Sequence, residues 1–187
     1  KTNHADLAGQ TLEALTYGFT APVHQIGTVS QGLYYDYYYT LTAADAYQLA
    51  IRTSQLTPSM DLDLEVYYNT GTQEVLVGSS GRADSEEQVI LPYPAAGEYH
   101  IAVYGYAVVG GTTDFDLFIE EISGEGAMVV SGLPTAIVPG QLYTMEVSFA
   151  TVPPAGWSNG AVFLGPVGSP LAIMIPVSVF GSSSLVP

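Results

Sequence analysis

The sequence predicts an all-β chain: a jelly-roll or β-sandwich domain, then a smaller, incomplete immunoglobulin-like β-sandwich. Three observations predict it. Apolar residues recur at every second position, sustained helical periodicity is nearly missing, and turn-forming clusters break the chain at short intervals.

The elements follow in order. In Thr11–Phe19, the residues Leu15, Tyr17 and Phe19 alternate. Leu33, Tyr35, Tyr37, Tyr39 and Leu41 alternate with Tyr34, Asp36, Tyr38 and Thr40, and Tyr47, Leu49 and Ile51 alternate with Gln48, Ala50 and Arg52. Leu62, Leu64 and Val66 share one face of the next strand, while Asp61, Asp63 and Glu65 share the other. Further strands are expected at Gln73–Val77, Glu87–Leu91, Glu98–Gly105 and Asp114–Glu121. Asn69-Thr-Gly71, Ser79-Ser-Gly81, Pro94-Ala-Ala-Gly97 and Gly110-Gly111 supply the turns between them.

A second unit is expected over 122–187, with strands at Ala127–Ser131, Leu142–Phe149, Gly160–Gly165 and Leu171–Phe180. Four strands are fewer than the seven or so of an immunoglobulin-like sandwich. The missing edge could be filled by the N-terminal extension (residues 1–23) through Thr11–Phe19, or by a strand from a neighbouring copy. The central domain is expected over 24–121.

Composition narrows the function. With 48% hydrophobic residues, 14 Tyr and 6 Phe, the 187-residue chain has ample core material. Eighteen acidic residues stand against three basic ones, a net charge of −15, which argues against nucleic acid and anionic membranes as partners. Cysteine is absent, which rules out disulfides; an extracellular chain without them needs tight packing, calcium or association with neighbours. No charged residue occurs from Val147 to Pro187, so this stretch is either covered or lies in an unusually neutral environment. A membrane helix over Ala161–Phe180 is disfavoured by Pro166, Pro170, Pro176, Gly165 and Gly168. No signal peptide is visible, as expected if Lys1 begins a processed chain.

The run Gly27-Thr-Val-Ser-Gln-Gly-Leu-Tyr-Tyr-Asp-Tyr-Tyr38, then Tyr47-Gln-Leu-Ala-Ile51, Asp61-Leu-Asp-Leu64, Pro94-Ala-Ala-Gly-Glu-Tyr99, Ile101-Ala-Val103 and Asp114-Phe-Asp-Leu117, resembles the pre-peptidase C-terminal domain. That β-sandwich follows the catalytic domain in many secreted subtilisin-like proteases and metalloproteases. Val130-Ser-Gly-Leu-Pro134 through Ile175-Pro-Val-Ser-Val179 is similar to the fibronectin-III-like modules of such proteases. The resemblance implies extracellular, non-catalytic modules that stabilise, attach to surfaces or substrates, and bind calcium.

Catalytic motifs are not found. The subtilisin-type Gly-Thr-Ser does not occur, Gly78-Ser-Ser-Gly81 lacks nucleophile-elbow spacing and is expected in a turn, and His4, His24 and His100 have no motif around them. Paired carboxylates are the main chemical feature. Asp61 and Asp63 lie about 7 Å apart on one strand face, a spacing that also suits a glycosidase pair. Asp61, Asp63, Asp84, Glu86, Asp114 and Asp116 are candidate calcium ligands, and a solvated acidic face is the alternative. Tyr34, Tyr38, Tyr104 and Tyr106 are expected to face outward, where they could pair across strands, meet a protein or stack on sugar. Trp157, expected in a Pro/Gly loop, joins Tyr34, Tyr38 and Tyr104 as a candidate interface residue.

Three functions follow as expectations. Copies of the chain assemble into an extracellular filament or surface layer through strand pairing; or the chain is the calcium-stabilised accessory region of a secreted protease, partnered by its catalytic domain; or it is a carbohydrate-binding module.

Overall fold

A computed structural model describes residues 7–56, 60–150, 152–153 and 155–181. Strands dominate, and no α-helix occurs among the described residues. In chain order they are β1 (Leu12–Thr20), β2 (Val23–Ser30), β3 (Tyr34–Leu41), β4 (Gln48–Gln55), β5 (Asp61–Asn69), β6 (Glu74–Ser80) and β7 (Gln88–Pro92). There follow β8 (Gly97–Ala107), β9 (Thr112–Ile122), β10 (Met128–Ser131), β11 (Glu146–Phe149), β12 (Gly156–Pro166) and β13 (Ile173–Gly181). They fall into two compact units, residues 22–121 and residues 1–21 together with 122–187.

The 22–121 unit is a β-sandwich of two four-stranded sheets, ordered β2-β9-β4-β7 and β3-β8-β5-β6. Alternation along each strand sends one set of side chains into a shared core. Leu49 and Ile51 of β4, Leu62, Leu64 and Val66 of β5, Ile101 and Val103 of β8, and Phe115 and Leu117 of β9 are fully buried there. Tyr35, Tyr37 and Tyr39 of β3 pack against the same core. Gly27 on β2 stands opposite Phe115, and a Cβ at that glycine would lie 2.4 Å from the Phe115 ring. The β5–β6 turn is fixed by the Asn69 carboxamide, whose Oδ1 accepts the Gly71 N–H at 2.8 Å, with Gly71 at a φ of 83°.

β2 escapes the alternation rule because its inward positions include Gln25 and Gly27 while Ile26 points outward. The expected turn at Ser79-Ser-Gly81 begins later than the sequence suggests. β6 runs through Ser80, whose hydroxyl donates to the buried Glu87 carboxylate and so holds the strand to its end.

The other unit has a three-stranded sheet, β1-β12-β13, and a two-stranded ladder, β10-β11. β1 pairs antiparallel with β12, with Ala14 opposite Leu164 and Thr16 opposite Val162. The fully buried positions of β1 are Leu12, Thr16 and Gly18, while the alternating Leu15, Tyr17 and Phe19 are half-buried. The buried Thr16 hydroxyl donates to the Met128 carbonyl at 2.8 Å. β12 supplies the fully covered row Ala161, Val162, Phe163 and Leu164.

The strand expected from Leu142 starts only at Glu146. Tyr143 is drawn off instead to clasp a loop: its hydroxyl accepts the Val138 N–H at 2.7 Å and donates to the Ala136 carbonyl at 3.2 Å. Trp157, expected in a loop, lies on β12 and meets the Phe180 ring edge-on at 5.4 Å. β13 is an edge strand of its sheet and carries Pro176, which removes one backbone donor.

Candidate functional site: the outer face of the β3-β8-β5-β6 sheet

The same alternation that buries one face of this sheet sets polar and aromatic side chains on the other. Register then aligns them in rows across strands that are distant in sequence. Tyr38 stands opposite His100, and His100 opposite Tyr67. In the next rows Asp36, Ala102 and Glu65 align, then Tyr34, Tyr104 and Asp63.

His100 is the hub. Its Nε2 lies 2.9 Å from Asp36 Oδ1 and its Nδ1 3.0 Å from Glu74 Oε2. The imidazole is stacked on Tyr38 at 4.7 Å and 12°, and faces Tyr67 at 5.6 Å and 26°. Burial pulls the imidazole pKa down, but the hydrogen bonds and charges of Asp36 and Glu74 outweigh it and leave His100 above its ordinary 6.5. The stability from that raised value is fully present below pH 6.5 and is lost as pH rises through the folded-state value. His100→Asn is therefore expected to flatten the decline of Tm between about pH 6 and pH 9. Thermal melts across that range check it, and an unchanged slope in the variant would remove His100 as the source.

Two clefts open on this face. The first, about 500 Å³, has Ala102 as its floor, Tyr34, Tyr67 and His100 as walls, and Asp36, Glu65 and Glu74 around the rim. The Tyr67 hydroxyl donates to Glu65 Oε2 at 2.7 Å, and that bond, with burial and the nearby carboxylates, raises the phenol pKa to about 12. The second cleft, about 490 Å³, is lined by Asp61, Asp63 and Glu65 on one side and by Ser79 to Ala83 on the other. Gly81 lies so close to Asp63 that a Cβ would sit 2.9 Å from its Oδ1. Burial first, then Asp61, Glu87 and Glu65, push the Asp63 carboxyl above its ordinary value.

The six candidate calcium ligands are not brought together. Asp61 and Asp63 share the second cleft, where Asp61 Oδ1 is buried without a hydrogen-bond partner. Asp84 is engaged in its own loop, where its Oδ1 accepts the Glu86 N–H at 2.9 Å, and Glu86 accepts the Ser54 hydroxyl at 3.3 Å. Asp114 and Asp116 lie on β9 of the opposite sheet, where they accept from Thr28 and pair with His24, both at 2.6 Å. Calcium takes six to eight oxygens. Among the described residues no three His, Asp or Glu side chains group to hold a metal ion.

Of the candidate interface residues, Tyr34 and Tyr38 are more than half exposed and Tyr104 is half-buried. Tyr34 leans on Tyr104 at 4.8 Å and 40°. Trp157 is also exposed, on the other unit. Sequence reasoning missed His100, Tyr67 and Glu74 as parts of a site. The available signal was that β8 places Glu98, His100, Ala102 and Tyr104 on one face.

Residues 34–105 match the profile of the bacterial pre-peptidase C-terminal domain. Over 68 residues the chain is 40% identical to pyrolysin of Pyrococcus furiosus, a stretch that is 34% of this chain and 5% of pyrolysin. Among solved structures, a Yersinia pseudotuberculosis-derived mitogen superposes with a TM-score of 0.42 at 12% identity, covering 53% of this chain and 84% of that one. The Aeromonas hydrophila periplasmic inhibitor of g-type lysozyme gives 0.41 at 17% identity, covering 54% and 85%. Likenesses this slight carry nothing about function. The fibronectin-III-like resemblance of the C-terminal stretch is not matched, and the 34–105 profile stops short of it. The stretch that resembles the bacterial pre-peptidase C-terminal domain thus runs from the first residue of β3 into β8, across the face just described.

Proposed function

We propose that the chain is a non-catalytic accessory region of a secreted subtilisin-like protease, lying C-terminal to its catalytic domain and working outside the cell. One observation carries this reading: the pre-peptidase C-terminal match over 34–105, with 40% identity to pyrolysin across 68 residues. The sequence adds support, since it holds no nucleophile motif and no cysteine that a secreted setting would oxidise. No helix among the described residues is long and apolar enough to cross a membrane.

A second reading, association of copies through open strand edges, draws on β6. Its Val75, Leu76 and Val77 are exposed and no Lys guards them. Pro176 weakens the same case at β13. The two readings part in one comparison. The accessory role expects a reading frame that continues upstream into a subtilisin-like catalytic domain, and a chain that hydrolyses no casein and sediments as a monomer. A frame without that domain, together with concentration-dependent polymers, would replace the first reading by the second.

A further inference from the structure

We propose that the cleft over Ala102 is a receptor for a cationic side chain, the guanidinium or ammonium group of a basic peptide segment. The four strands of this sheet carry Asp36, Asp61, Asp63, Glu65, Glu74 and Glu98 and neither Lys nor Arg. At the cleft itself three carboxylates face one base. His100 is shared between Asp36 and Glu74, and Glu65 has the Tyr67 hydroxyl. At most one positive charge therefore meets three negative ones. The excess is felt by Tyr34, whose hydroxyl is held above its ordinary value chiefly by the Glu65 charge.

The shape of the cleft is a separate observation and selects the kind of cation. In the row Asp36, Ala102 and Glu65 only the middle side chain is small, and the cleft that Tyr34 and Tyr67 help to line lies at that row. An aromatic-walled slot of about 500 Å³ is far wider than a bare metal ion needs. Lys and Arg bring an apolar stem to rest on the floor and a charge to lie beside the rings and carboxylates. A sugar is less well served. Stacking needs an open, flat row of rings, and here Tyr38 has a face covered by His100 while Tyr34 tilts against Tyr104.

The test titrates the full chain with the acetylated, amidated peptide Gly-Arg-Gly and with the same peptide carrying citrulline, following backbone amide shifts by NMR. The arginine peptide is expected to shift resonances around Ala102 and His100, to lose affinity as salt rises, and to bind about tenfold more tightly than the citrulline peptide. Ala102→Leu fills the slot and is expected to abolish the shifts, and Glu65→Gln to weaken binding several-fold. Should Ala102→Leu fail to fold, Tyr34→Ala removes a wall from an exposed position and carries the same expectation. Equal binding of both peptides, or arginine binding untouched by Ala102→Leu and Tyr34→Ala, would overturn the proposal. Cellohexaose shifting those resonances while the arginine peptide does not would assign the slot to glycans instead.

Discussion

Phe115→Ala is expected to cost about 3–5 kcal/mol, the range for removing a fully buried aromatic side chain. The ring lies at 0% exposure in the sandwich core, with Tyr35 of the opposite sheet edge-on to it at 5.3 Å and 89°. Gly27 backs it from the neighbouring strand, so no side chain there can swing in to refill the space. A domain of this size has only about 5–15 kcal/mol of stability in total. The urea midpoint should fall steeply with little change in slope. Gly27→Ala supplies the control, because its new methyl would collide with the ring in the parent and meet a void in the Phe115→Ala background. The two substitutions should therefore couple, each partly relieving the other. A loss below about 1 kcal/mol for Phe115→Ala would mean that the sheets do not close on this ring.

Why inward faces could be read from the sequence, and the receptor slot could not, is a matter of range. Tyr35, Tyr37 and Tyr39, then Leu49 and Ile51, then Leu62, Leu64 and Val66, were legible as inward faces because alternation is local and each strand announces its own buried side. The signal fails where an inward position holds Gly27 or Gln25, as in β2, or where a residue such as Tyr143 trades its ladder place for hydrogen bonds to a loop. Outward residues were legible strand by strand too, Asp61 with Asp63 and Tyr34 with Tyr38. Their neighbours were not, because β8 enters the sheet between β3 and β5. Only that order brings His100 to Asp36, 64 positions away, and to Glu74. It also separates Asp114 and Asp116 from Asp61 and Asp63, which composition alone had grouped.

Glu87 carries the second large effect. Glu87→Ala is expected to cost about 2–3 kcal/mol, from lost hydrogen bonds to a charged acceptor and a small cavity. At 1% exposure its carboxylate accepts the Ser80 hydroxyl and the Arg82 N–H, the latter at 2.7 Å, and so ties the end of β6 to the start of β7. Glu87→Gln separates bonding from charge. The amide can still accept from Arg82 and donate to Ser80, so most of the stability should remain, while the negative charge that helps raise Asp63 disappears. For Asp63 the folded-state pKa lies above the ordinary 3.8, so protonation favours the folded chain. Its penalty is absent below pH 3.8 and complete once pH exceeds the raised value. Glu87→Gln should therefore lose less stability than the parent as pH climbs through that window, read from urea midpoints at about pH 3.5, 5 and 7. Equal losses for alanine and glutamine would show that the charge of Glu87, and not its geometry, holds the β6 end in place.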